Sequence, residues 1–146
     1  MSEKMTFEVT GQSEKMSTEL KAKNHTLVID EPANMGGDDK GADPLSTLLA
    51  SLAGCENVVA NMVAKEIDFD LKGIDFKVNG EIDPRGLMGQ ADVVPYFQHV
   101  SIKASVQTDE SDKRIQELKE KTDARCPVYT TLQAAGIPID AEWIKA

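Results

Sequence analysis

The order of elements along the chain predicts a mixed fold of strands and helices, built as a single domain over 1–146. Three observations carry this. Short runs with rough apolar alternation occupy the first 32 residues. One long stretch, from 43 to about 67, repeats apolar residues at three- and four-residue steps. After it, two well-alternating runs precede two helical segments and a short closing run.

The opening runs "MTFEVT", "STELKAK" and "HTLVIDEP" read as short strands, with "GQSEKM" turning the first into the second and Pro32 ending the third. A polar, Gly-rich loop, "ANMGGDDKGADP", follows over 33–44. It carries three Asp and lacks the phosphate-loop pattern, so no phosphate site is expected there. The long helix starts at a clear signal: Asp43 suits an N-cap and Pro44 the first helical position, where its missing N–H costs nothing. Leu45, Leu48, Leu49, Leu52, Cys55, Val59, Met62 and Val63 then form one apolar face. "LKGIDFKVNGEID" is the clearest strand, "PRGLMGQADVVP" a loop, and "YFQHVSIKASVQT" a second strand expected to pair with the first as an antiparallel ribbon. A charged helix from about Ser111 to Ala124 has a thin apolar face at Ile115, Leu118 and Thr122 and is expected at the surface. The residue before a proline avoids helical dihedrals, so Cys126 reads as an N-cap and Pro127 as the first residue of a third helix. Gly136 and Pro138 end that helix, and "IPIDAEWIKA" closes the chain as a strand.

Composition narrows the function. Lys and Arg number 16 against 25 Asp and Glu, a net charge of −9. Such a surface repels phosphate backbones and anionic bilayers, which argues against nucleic-acid and membrane partners. No stretch approaches 18 apolar residues, and the first fifteen residues lack the apolar core of a leader, so a cytoplasmic protein is expected. In a reducing compartment two cysteines are free, catalytic or redox-cycling rather than a permanent staple. Cys55, Cys126, His25 and His99 are widely separated and match no zinc spacing, and Asp38, Asp39 and Asp43 form no complete calcium pattern. No metal or cofactor is expected.

The chemistry therefore centres on the cysteines. At a helix N-terminus the unpaired N–H groups favour a thiolate, and Arg125 stands beside Cys126. Local physics thus offers Cys126 as either a lowered-pKa thiol or a small capping residue. Cys55, mid-helix among Leu and Val, reads on the same physics as packing unless an outside cation or a gap in the covering layer activates it. His25 and His99 read as solvated or locally satisfied side chains, and the scattered methionines as core filling.

Three segments together resemble the OsmC/Ohr family of osmotically inducible and organic-hydroperoxide-resistance proteins. "DPLSTLLASLAGC" (43–55) is similar to its helix start and first cysteine. "DPRGLMGQADVVPYFQHVSIKASV" (83–106) resembles an OsmC-like pattern, and "RCPVYTTL" (125–132) its second-cysteine motif. The resemblance spans about 6–144. It implies an α+β, OsmC-like fold with antiparallel sheets around a long central helix, interlocked as a homodimer with sites at the interface. It also implies a thiol-dependent peroxidase acting on small organic hydroperoxides: Cys55 as nucleophile, Cys126 resolving the sulfenic acid to a disulfide, and a dithiol, in some members lipoyl, as reductant. In such members an N-terminal Arg and a Glu in the first turn of the central helix activate the nucleophile. Here no Arg precedes Arg85, and the Glu position falls on Leu45 or Ser46. The candidate cations are Arg85 and Arg125, with Lys15, Lys21 and Lys23 behind them. The alternative is a non-catalytic dimer of the same fold that binds a small apolar ligand or senses redox state.

Overall fold

The computed structural model describes residues 3–90 and 92–146. Met1 and Ser2, at the N-terminus read for a leader, and Ala91, in the loop read over 84–95, lie outside the described residues. The chain divides into two compact units, Met1–Leu48 and Leu49–Ala146.

The first unit holds an antiparallel meander of β1 (Thr10–Glu14), β2 (Ser17–Ala22) and β3 (His25–Ile29). The first strand differs from expectation. Only the last residue of "MTFEVT", Thr10, joins a strand, and β1 runs on through residues read as a turn. Tight hairpin geometry decides the register: Glu14 pairs with Ser17 and Ala22 with His25, leaving two-residue turns. Lys15 and Lys23 open these turns in the left-handed region, each at φ 56°. Met5, Phe7 and Val9, whose alternation suggested the strand, are left exposed.

The Gly-rich loop is organised by Asp30, a residue with no distinguishing sequence signal. Its buried carboxylate accepts N–H bonds from Glu31 (2.7 Å), Lys40 (3.1 Å) and Asp38 (3.3 Å). These donors hold the Asp30 carboxyl below its ordinary range, the Glu31 N–H foremost. The chain passes so close that a Cβ on Gly37 would lie 2.0 Å from the Glu31 carbonyl oxygen. The loop delivers the chain to α1 (Pro44–Glu66), where the Ser46 N–H donates to Asp43 Oδ2 at 2.9 Å, as the cap signal requires.

The second unit is a three-stranded sheet with β5 (His99–Gln107) between β4 (Gly73–Glu81) and β6 (Ile139–Lys145). The antiparallel arrangement holds for β4 with β5, in register from Gly73↔Gln107 to Glu81↔His99. β6 instead joins β5 in parallel, from Val100↔Ile139. A parallel return needs a long crossover, which α3 (Asp112–Arg125) and α4 (Pro127–Ala134) supply. A further short helix, α2 (Pro84–Leu87), lies in the segment read as a loop, capped by Asp83, which accepts the Arg85 N–H at 3.0 Å.

Alternation in β5 buries Val100, Ile102, Ala104 and Val106. They join Leu52, Val59, Ala60, Val63 and Ala64 of α1, Ile115 and Leu118 of α3, and Trp143 of β6 in one core. Phe76 and Trp143 meet edge to face at 6.2 Å. Arg114 of α3 donates to the carbonyls of Ile67 (2.8 Å) and Asp68 (3.1 Å), satisfying backbone just past the end of α1, and lies over the Phe69 ring. α3 lies at the surface as expected, with its polar side exposed and its thin apolar face of Ile115, Leu118 and Thr122 buried.

α1 corrects one expectation. By length and composition it is apolar enough to cross a membrane, with mean hydropathy 1.3, the one such helix among the described residues. Its inner side, however, forms part of the core just described. Its apolar residues also form two stripes rather than one face. Leu52, Val59, Ala60 and Val63 are buried, whereas Leu45, Leu48, Val58 and Met62 are exposed.

Gly80 marks where the sheet admits no side chain. A Cβ there would lie 2.4 Å from Phe97 Cε1 and 2.8 Å from Cδ1, and Phe97 is itself buried. Gly80→Ala is expected to lower stability by about 1–3 kcal/mol through overpacking. Adding Phe97→Leu should make the alanine less costly than it is in the unmodified chain, as read by a urea-denaturation double-mutant cycle.

Candidate functional site

Two elements of the second unit bring the cysteines together. Cys55 lies about three turns into α1, and Cys126 lies at the junction of α3 and α4. The junction is set by Pro127, which ends α3 at Arg125 and starts α4, leaving Cys126 as the C-cap of one helix and the N-cap of the next. Both thiols are free, and the side chains are within hydrogen-bonding reach of each other. Cys126 is fully buried, whereas Cys55 is half-buried. On the 3.6-residue period Cys55 falls beside Leu48, Val58 and Met62, at the margin of the exposed apolar stripe.

Of the two readings left open for Cys126, a lowered-pKa thiol or a small capping residue, the first does not hold. Burial pushes the Cys126 thiol far up, the hydrogen bond with Cys55 adds to this, and the nearby Glu56 and Cys55 charges act in the same direction. The Tyr129 N–H reaches Cys126 Sγ at 3.5 Å and pulls the other way. Desolvation wins because sulfur is a weak acceptor and the site is sealed.

The candidate cations are engaged elsewhere in the chain. Arg85 is held by Asp83, with Nη2 to Oδ2 at 2.6 Å and Nε to Oδ1 at 3.0 Å. Arg125 forks onto Glu66, at 2.5 and 3.1 Å. Neither is among the groups acting on Cys126. The first turn of α1 contains no acidic residue. His25 is exposed at the start of β3, and His99 Nε2 lies 2.7 Å from Asp140 Oδ2.

The sequence reading missed Glu56. It follows Cys55, yet it points inward and is fully buried beside Asp123 and Cys126. Asp123, one turn before Cys126, is 3.3 Å from Lys119 Nζ. Neither Glu56 oxygen holds a well-aligned hydrogen bond. Burial pushes the Glu56 carboxyl up to about 8, and Asp123 reinforces the shift through a hydrogen bond and its negative charge. Cys126 and Lys119 oppose it. Periodicity contained the signal: Leu52, Glu56 and Ala60 step by four along the buried stripe.

A carboxyl held above its ordinary 4.5 keeps its proton in the folded chain after the unfolded chain has released it. Its stabilisation is complete below 4.5 and is lost as pH rises to about 8. This group should therefore contribute a decline of up to about 1.4 kcal/mol per pH unit across that window. Glu56→Gln, neutral at every pH, should flatten the decline and leave the variant the more stable protein near pH 8. Urea titrations across the window check this.

Comparisons with known proteins agree with the architecture. The family model described as "OsmC-like protein" matches residues 37–142. A hydroperoxide reductase of Mycoplasma pneumoniae is 28% identical over 96 residues, and the match spans 64% of this chain and 64% of that protein. The crystal structure of an OsmC-like protein from the same organism superposes with a TM-score of 0.81 at 21% identity, covering 96% of this chain and 98% of the other. An organic hydroperoxide resistance protein from Elizabethkingia anophelis superposes with a TM-score of 0.78 at 17% identity, with both chains fully covered. The match over most of the chain, together with the shared α+β architecture, is decisive: the chain belongs to the OsmC-like protein family.

Proposed function

We propose that this protein is a thiol-dependent peroxidase that reduces small organic hydroperoxides through Cys55 and Cys126. The observation that carries the reading is the meeting of a half-buried thiol with a fully buried one, in a chain of this family. The name of the Mycoplasma pneumoniae relative, a hydroperoxide reductase, supports the same chemistry.

Cys55 is the reachable thiol and acts as nucleophile. Its thiolate attacks the terminal oxygen of the hydroperoxide and the O–O bond breaks. The organic alkoxide leaves as an alcohol after gaining a proton, and Cys55 becomes a sulfenic acid. Cys126 displaces water from that sulfur to give a disulfide, and a dithiol reductant restores both thiols by exchange. The chain works as a homodimer in a reducing, cytoplasmic setting. The exposed stripe of Leu45, Leu48, Val58 and Met62 is the face that a second copy covers, enclosing Cys55 in apolar surroundings suited to an alkyl tail.

One observation favours a second reading. The first turn of α1 lacks an acidic residue, which fits a dimer of the same fold that binds a small apolar ligand or senses redox state without rapid turnover.

Thiol counting separates these readings. One equivalent of cumene hydroperoxide should remove two thiols within seconds, and Cys55→Ser should abolish the loss. Retention of both thiols over minutes would sink the peroxidase. The assembly is tested separately: Val58→Glu should halve the solution mass measured by light scattering, and an unchanged mass would remove the proposed interface.

A further inference from the structure

The buried cluster around Glu56 has no role in the cycle above, yet it touches the thiol that the second step of that cycle must deprotonate. We infer that Glu56 is the general base for Cys126, taking the thiol proton as the disulfide closes. The inference rests on the two-cysteine reading, since it assigns a residue to that reading's second step.

Cys126 is sealed from solvent and kept protonated by its surroundings, so it is a poor nucleophile until a base takes its proton. Bulk hydroxide has no ready access to a side chain that is fully buried. Glu56 is in hydrogen-bonding reach of Cys126, is equally buried, and has neither oxygen occupied by a well-aligned partner. An unsatisfied buried carboxyl costs stability, and packing alone would be served better by the leucine or valine found along the rest of the stripe. Its position next to Cys55 on α1 also places it between the nucleophile's own helix and the resolving thiol.

Groups from α3, the helix junction and α4 face this base: Asp123 and Lys119 from the first, Cys126 from the second and Tyr129 from the third. The Asp123 charge raises its affinity for a proton and the Lys119 ammonium lowers it. The outcome is a carboxyl that exchanges a proton near neutral pH, the range in which a general base is most effective.

The step balances. The Cys126 S–H proton passes to the Glu56 carboxylate, and Cys126 sulfur attacks the Cys55 sulfenic sulfur. The S–S bond forms as the S–O bond breaks. The departing hydroxide takes the proton back from Glu56 and leaves as water. The sulfenic sulfur is reduced, the thiol sulfur is oxidised, and Glu56 ends as it began.

Diamide isolates this step without a hydroperoxide. Cys55 adds across its N=N bond, and Cys126 must then displace the hydrazine to form the same disulfide. Adduct decay is followed by quenched-flow mass spectrometry on the full-length protein between pH 6 and 9.5. In the wild type the decay rate should rise with pH and level off through an inflection near 8. Glu56→Gln should slow decay by about 100-fold and abolish the inflection. Asp123→Asn, which keeps the base and removes the neighbouring charge, should move the inflection to lower pH. An unchanged rate in Glu56→Gln, a slower rate that keeps the inflection, or an unmoved inflection in Asp123→Asn would each overturn the assignment. If cumene hydroperoxide leaves the thiols intact while diamide gives the expected profiles, the peroxidase reading fails and the role of Glu56 in closing the disulfide stands.

Discussion

Desolvation at the junction between α1 and the α3–α4 corner is the constraint on which the site depends. The same core that buries Leu52, Val59 and Val63 also buries Glu56 and Cys126. Neither ionisable group can be charged there without a large cost. A thiol that helix geometry would favour as a thiolate is therefore held as a thiol, and a carboxyl that would be ionised in water exchanges its proton near neutral pH.

This arrangement gives two cysteines of the same chain different surroundings. Cys55 sits half-buried at the margin between the buried and exposed stripes of α1. Cys126 is held inside, in contact with Cys55 and with a carboxyl. In the cycle proposed above, a resolving thiol kept protonated at rest does not compete with the nucleophile for oxidant. The arginines that stand nearest the motifs in sequence are bound to Asp83 and Glu66, so proximity in sequence says little about which charge a thiol meets.

The parts of the fold readable from sequence were those governed by local rules. Asp43–Pro44 and Cys126–Pro127 placed two helix starts because capping and proline chemistry act within a few residues. The alternation in β5 identified its buried positions because one face of that strand is covered. The first hairpin was misplaced by several residues, since a two-residue turn with lysine at positive φ outranked apolar alternation. Asp30 was missed because two of its three N–H donors, Asp38 and Lys40, come from a loop that only folding brings back to it.

The sequence by itself determined the family resemblance, the long central helix and the identity of the two thiols, because these rest on local periodicity and on motifs of contiguous residues. Only the tertiary structure decided that Cys126 is the sealed thiol, that α1 carries an exposed apolar stripe as well as a buried one, and that Glu56 lies against the Cys126 sulfur. Burial and electrostatic surroundings are set by residues more than sixty positions apart in the chain, such as Glu56 and Asp123. No window of neighbouring residues contains both sides of such a contact.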